Sequence, residues 1–281
     1  TLKSKLSLTN PFYQNQDFIA GCKLLKKHIN KNNKILIIGD YDVDGCVSTF
    51  LMYDYIKRFK TNVDYYIPDR FKDGYGADIY LLKKLISVFN PKLIIFLDCG
   101  STSYDEIKYL KNLGIKSIII DHHNIEKPFP LSDVFINPKK VIGYNNQDYF
   151  CSAFLTYFFL DFYINLNKVK ISQKEELIYV LIATVADVMP IRKINRLLAI
   201  NILKNFDINK NYILHSLFKL FKIKKKIELD DLAYLISPVL NSAGRLDNAN
   251  VIVKLLTTNS KTEIQKILKK IFKLNKKRKL I

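Results

Sequence analysis

The stretch Ile35-Leu36-Ile37-Ile38-Gly39-Asp40-Tyr41-Asp42-Val43-Asp44-Gly45 decides the fold. Its unbroken aliphatic run reads as a strand buried on both faces, the kind found in parallel sheets. The run ends in a turn with carboxylates at alternate positions, and a helical pattern follows. Carboxylates so close together repel, and each ionises only with a strong positive charge nearby. No Lys or Arg lies between Lys34 and Lys57, so a bound divalent cation is the simplest compensation. Two later stretches repeat the design. Leu93-Ile94-Ile95-Phe96-Leu97 ends in Asp98-Cys99-Gly100, and Ile118-Ile119-Ile120 ends in Asp121-His122-His123-Asn124. Buried strands therefore deliver Asp and His at their carboxyl ends, where ligands bind in open α/β sheets.

The chain has 281 residues, 48% of them hydrophobic, enough to bury one large core or two smaller ones. It contains no apolar run of about 18 residues, so a membrane span is not expected. The four cysteines (Cys22, Cys46, Cys99, Cys151) are scattered without metal-type pairing. That argues for a reducing, cytoplasmic setting and against a disulfide framework or zinc ribbon. Cys99, beside Asp98, reads either as a ligand or nucleophile or as a small buried hydrophobe. The formal net charge is +19, which permits a nucleic-acid partner. Nearly all of the basic residues are Lys, however, and Asn and Ile are also abundant. A coding bias explains that as well as function does. The chain begins at Thr1 and ends in a basic Lys276-Lys277-Arg278-Lys279 run, so it reads as a piece of something longer.

Strand patterns at 35–39, 63–67, 93–97, 118–120 and 134–136 alternate with helical spacing over 18–29, 44–58, 78–88 and 103–113. A five-stranded, parallel, doubly wound α/β sheet is the natural reading. After Tyr149 the pattern turns helical over 151–164, 173–186, 195–205 and 212–219, with weaker signals at 231–236 and 249–256. Ser260-Lys261-Thr262-Glu263 is a capping box. It opens a last helix whose apolar stripe, Ile264, Ile267, Leu268, Ile271 and Leu274, has no evident partner. The expected organisation is an α/β core at 1–148, a helical part at 149–258 and a long connecting helix at 259–281. Within the helical part, Ile182-Ala183-Thr184-Val185-Ala186-Asp187 embeds a carboxylate in an apolar run. Asp187 is either a turn residue before Pro190 or a buried group with a partner.

Read together, Asp40-Tyr41-Asp42-Val43-Asp44-Gly45, Asp98, Asp121-His122-His123 and Thr184-Val185-Ala186-Asp187 resemble the four motifs of the DHH phosphoesterase superfamily. Pro68-x-Arg70 with Gly74-Tyr75-Gly76, Asn195-Arg196-Leu197 and Asn241-Ser242-Ala243-Gly244-Arg245-Leu246 resemble its RecJ branch, the single-stranded-DNA-specific exonucleases. The resemblance runs from Asn10-Pro11-Phe12 to Leu274-Asn275-x-x-Arg278. It implies two divalent cations, Mn²⁺ or Mg²⁺, with Asp42 on the first, Asp44, His122 and Asp187 on the second, and Asp98 bridging both. It places His123 beside the scissile phosphate and gives Asp40 a water-orienting or ligating role. Arg70, Tyr75, Arg245 and Asn241 become substrate-binding residues. Asp121 would shape the turn or hold a histidine. The implied activity is 5′-to-3′ hydrolysis of single-stranded DNA to 5′-mononucleotides, in repair and recombination. A monomer working with a single-strand-binding protein or helicase is the implied setting.

The chain departs from the family in four respects, the first being Ser242 where the family's Asn-Ala-Ala-Gly-Arg has Ala. Val239 stands where a basic residue is expected, Cys151-Ser152-Ala153 replaces a glycine-rich helix start, and the C-terminal DHHA1 module is missing. The rival readings are a DHH phosphodiesterase for short oligonucleotides or cyclic dinucleotides, and a non-catalytic DHH scaffold. A manganese-dependent pyrophosphatase would carry His where Ile38 stands.

Overall fold

Five strands form one all-parallel sheet in the order β2-β1-β3-β4-β5. They are β1 (Ile35–Gly39), β2 (Val63–Tyr66), β3 (Leu93–Leu97), β4 (Lys116–Ile120) and β5 (Val134–Ile136). The computed structural model describes residues 8–74, 76–140, 142–144, 147–223 and 225–280. Of the residues singled out from sequence, Tyr75 lies outside the described residues.

The period of two along each strand divides the sheet's aliphatic residues between two layers. Ile35, Ile37, Leu93, Ile95, Leu97, Ile118 and Ile120 join the core that contains Phe18 and Leu25 of α1 (Gln16–Asn30), Val47 and Leu51 of α2 (Val43–Lys57), and Phe154 and Phe158 of α5 (Ser152–Asn167). Leu36, Ile38, Ile94, Phe96 and Ile119 face the other way. They meet Leu81, Leu82 and Leu85 of α3 (Ile79–Phe89) and Ile107 and Leu110 of α4 (Tyr104–Asn112). Burial on both faces is why these strands read as continuous apolar runs rather than as alternating ones.

The first of these cores continues without a break into the later helices. These are α6 (Leu177–Ala186), α7 (Lys193–Asn205), α8 (Tyr212–Phe221), the single turn α9 (Leu229–Asp231), α10 (Ser237–Leu246), α11 (Asn250–Thr257) and α12 (Lys261–Arg278). No described helix is long and apolar enough to cross a membrane.

Three expectations need correction. The helix that ends before Asp187 starts at Leu177 rather than Gln173, because Lys174-Glu175-Glu176 forms a polar turn ahead of the apolar run. The segment 237–246, read from sequence only as a motif, is helix α10. Its Pro238, Asn241, Ser242 and Gly244 all argue against a helix locally. Burial of Val239, Leu240 and Ala243 outweighs them. Pro238 sits in the first turn, where a missing N–H is tolerated, and Leu232–Ile236 just before it is π-helical. Finally, the stripe on α12 is covered within this chain. Ile264, Ile267, Leu268 and Ile271 are buried against α8, α10 and α11, and Ser242 Oγ donates to Ile271 O at 3.1 Å.

Gly244 decides how closely α10 approaches the Asp40–Asp44 turn. A Cβ there would stand 2.0 Å from Tyr41 O, so only glycine fits without moving one backbone or the other. Gly244→Ala should therefore lower the unfolding free energy by about 1–3 kcal/mol in urea denaturation. A variant as stable as wild type would contradict this close packing.

Candidate metal centre

In the order β2-β1-β3 the sequence order of the parallel strands turns back between β1 and β3, and the carboxyl ends of strands at such a point are where open α/β sheets bind ligands. Asp40 follows β1, Asp98 follows β3, and Asp121-His122-His123 follows β4. The helical half adds Asp187, the C-cap of α6. Three overlapping donor groups result: Asp40, Asp42 and Asp98; Asp98, His122 and His123; and Asp44, His122 and Asp187. Within each, the ligand atoms lie within 4.8 Å of one another. His122 Nε2 stands 3.4 Å from Asp98 Oδ1, 3.4 Å from Asp187 Oδ2 and 3.8 Å from Asp44 Oδ2. Asp98 and His122 thus lie where the groups meet.

Local hydrogen bonds fix Asp42, Asp44 and Asp121. Asp42 is the N-cap of α2, and its Oδ1 accepts from Gly45 N at 3.0 Å. Asp44 accepts from Ser152 N at 2.7 Å and from Ala153 N at 2.8 Å. The start of α5, where Cys151-Ser152-Ala153 stands in place of a glycine-rich sequence, therefore grips a carboxylate of the cluster. Asp121 belongs to none of the three donor groups. Its Oδ2 accepts from Ser101 N at 3.0 Å, and its Oδ1 accepts from His122 N at 2.7 Å and lies 2.7 Å from His123 Nδ1. Asp121 therefore both shapes the turn and holds a histidine, and that histidine is His123. Asn137, fully buried, completes the support by donating to Ser101 Oγ at 2.8 Å and His123 O at 2.9 Å.

The electrostatics follow from burial and crowding. Burial first, and the neighbouring Asp42 second, push Asp40 up to about 7. Burial, Asp44 and Asp42 push Asp187 up to about 8. Burial and then Asp44 raise both Asp42 and Asp98, and burial lowers His122. Burial alone would raise Asp121 as well, but the bond to His123 and its charge, with the Ser101 N–H, hold Asp121 at about 2. The bond to Asp121 in turn raises His123, against burial, to about 9. Asp40 Oδ1 and His122 Nε2 are buried and make no hydrogen bond. Buried polar atoms without hydrogen bonds, in a set of carboxylates and imidazoles, fit divalent cations of the Mn²⁺ or Mg²⁺ type. Cys99 does not belong to the set. It is buried in the α3/α4 layer, and burial raises its thiol well above the ordinary value.

A cleft of about 300 Å³ opens over the cluster, with Asp40, Asp42, Asp187, Asn241, Arg70 and Arg245 in its wall. The Arg70 guanidinium lies 5.6 Å above the Tyr41 ring. Arg245 is exposed; Asp247 pairs with Lys270, and Asp231 with Lys225. Asn241 lines the cleft, but its Oδ1 accepts from Val43 N at 3.0 Å and so satisfies an orphan donor in the first turn of α2. Asn250, not singled out from sequence, clamps the peptide after β2. Its Oδ1 accepts from Ile67 N at 3.2 Å, and its Nδ2 donates to Ile67 O at 3.3 Å. That contact fixes the start of the Pro68–Arg70 loop. No local signal separates such an Asn from an ordinary turn residue. Val188, also not singled out, has φ +55° and closes α6 where glycine is usual. A β-branched residue there costs about 1–2 kcal/mol.

Residues 34–187 match the family described as "DHH family, N-terminal domain". The chain is 30% identical over its whole length to the single-stranded-DNA-specific exonuclease RecJ of Haemophilus influenzae, of which it covers 50%. It is 32% identical, over 90% of its length, to RecJ of Bacillus subtilis, covering 32% of that protein. It therefore spans half or less of the length of these relatives. Among solved structures, an exonuclease RecJ bound to manganese superposes with a TM-score of 0.85 at 24% identity, over 98% of this chain and 68% of that one. RecJ of Thermus thermophilus with Mn²⁺ gives 0.83 at 21% identity, over 97% of this chain and 39% of that one. At these identities the two structures establish the fold.

The raised carboxylates set a pH dependence. In chelator, the folded chain holds protons on Asp40 and Asp187 at values of about 7 and 8, whereas the ordinary value is 3.8. Stability should therefore fall as pH rises from about 4 to about 8. His123 acts in the same direction: its pairing is fully present below about 6.5 and is lost as pH rises through about 9. Urea midpoints in EDTA should decline over this range, and Asp98→Asn should flatten the decline. Equal slopes in both proteins would contradict the electrostatic account. By NMR titration, Asp121→Asn should return His123 toward about 6.5.

Proposed function

The chain belongs to the DHH family, and from that membership we propose that it is the catalytic part of a RecJ-type nuclease. In this reading it holds two divalent cations, Mn²⁺ or Mg²⁺, and releases 5′-mononucleotides from the 5′ end of single-stranded DNA. The observation that carries the reading is Asp98 and His122 shared between donor groups, beneath a cleft whose wall includes Arg70 and Arg245. The RecJ relatives and the metals in their solved structures support the choice of substrate and ion.

Asp42 would hold one cation, Asp44, His122 and Asp187 the other, and Asp98 both. When bound, such a pair supplies a Lewis acid for the phosphoryl oxygens and makes a water acidic enough to attack near neutral pH. Asp40 would orient that water. His123, kept protonated by Asp121, would donate to a non-bridging phosphate oxygen or to the leaving oxygen. The guanidinium groups of Arg70 and Arg245 would fork onto phosphates, which Lys cannot do. Asn241 and Asn250 would keep the metal-binding turn and the Arg70 loop in register with each other. A non-catalytic scaffold has no use for this complete set of donors.

The test uses 5′-labelled single-stranded DNA with Mn²⁺, beside duplex DNA, an RNA dinucleotide and pyrophosphate. Labelled mononucleotide from the single strand alone is the expected result. Cleavage only of the dinucleotide or of pyrophosphate would move the chain to another DHH branch. Asp98→Ala should abolish hydrolysis with an unchanged circular-dichroism spectrum. Arg245→Ala should weaken strand binding roughly tenfold or more while leaving Mn²⁺ affinity alone. Equal activity in wild type and Asp98→Ala would sink the two-cation mechanism.

A further inference from the structure

Val188 takes no part in the metal cluster, yet it is 87% exposed in the cleft wall that also carries Asp187, Arg70 and Arg245. Its φ of +55° lies in the left-handed region that β-branched side chains avoid. The turn accounts for the backbone. Val188 N donates to Val185 O at 3.1 Å and Met189 N donates to Thr184 O at 3.0 Å, the paired pattern that ends many helices and usually carries glycine. Glycine would end α6 and aim Asp187 without strain. The turn thus leaves the side chain unexplained, since the two methyl groups stand in water within a wall that is mostly charged and polar. Strain retained beside a functional site points to a role for the group that causes it.

We propose that Val188 is a specificity contact, its methyl groups packing against the sugar and base of the nucleotide that flanks the scissile phosphate. This rests on the nuclease reading above and narrows it. Arg70 and Arg245 recognise phosphate charge, which pyrophosphate, polyphosphate and nucleic acid share. An apolar contact at the cleft wall favours a phosphodiester that bears a nucleoside. Partial burial of the two methyl groups under the nucleoside corresponds to about five- to tenfold in affinity.

Gly and Asn both tolerate the left-handed conformation but lack the methyl groups, whereas Ile keeps them. Binding of a fluorescent 5′-phosphorylated oligothymidylate is measured by anisotropy in Ca²⁺, alongside Mn²⁺ affinity and thermal stability. Val188→Gly and Val188→Asn should raise the oligonucleotide Kd about five- to tenfold with Mn²⁺ affinity unchanged. Val188→Gly should also melt higher than wild type, and Val188→Ile should keep the wild-type Kd. Oligonucleotide binding as tight in the Gly and Asn variants as in wild type overturns the contact and leaves the nuclease reading standing. Parallel losses of oligonucleotide and Mn²⁺ affinity also overturn it, because they show that the residue only aims Asp187. Failure of wild type itself to bind the oligonucleotide removes the nuclease reading, and the contact with it.

Discussion

The mutual repulsion of Asp40, Asp42, Asp44, Asp98 and Asp187 is the constraint around which the rest of the structure is arranged. Two like charges about 4 Å apart repel by roughly 4 kcal/mol at the effective dielectric of a protein site, and burial adds to that penalty. The chain relieves part of it with its own backbone: Ser152 N and Ala153 N at the start of α5 hold Asp44, and Gly45 N holds Asp42. The remainder appears as raised protonation of Asp40, Asp98 and Asp187. Crowding so many carboxylates at the carboxyl ends of the strands fits neutralisation by cations.

The same constraint explains why the helical half is inseparable from the sheet. Asp187 comes from α6, the clamp on Asp44 from α5, and the brace on the Asp40–Asp44 turn from α10. Asn241 satisfies Val43 N, Gly244 lets the α10 backbone rest on Tyr41 O, and Asn250 pairs with the peptide after β2. The segment 241–250 therefore ties the Asp40–Asp44 turn to both arginines of the cleft. On the proposed nuclease reading, positioning of this kind would bring a phosphate into line with its nucleophile.

Much of this was legible in the sequence because burial on both faces leaves an unambiguous mark. The aliphatic runs of β1, β3 and β4 fixed the sheet, and the Asp and His residues that follow them are the ones found together. Asp187 was recognisable as a carboxylate out of place in an apolar helix. The rest was hidden for physical reasons. Helix α10 contradicts its own local propensities and exists because its apolar face is buried. The stripe on α12 looked unpartnered because, of its partners, α10 carries no helical signal and α11 only a weak one. Asn250 acts through a side-chain amide that imitates a peptide group, and Val188 through a backbone angle. Neither leaves a periodic or compositional trace.

Titration of the chain with Mn²⁺, followed together by calorimetry and electron paramagnetic resonance, tests the central claim most directly. The expected result is two ions per chain with a spin-coupled spectrum, and uptake accompanied by release of the protons held on the carboxylates. The coupling should disappear in Asp98→Asn. One weakly held ion, or two uncoupled ions that bind unchanged in Asp98→Asn, would contradict the claim that the cluster exists to be bridged by a pair of cations.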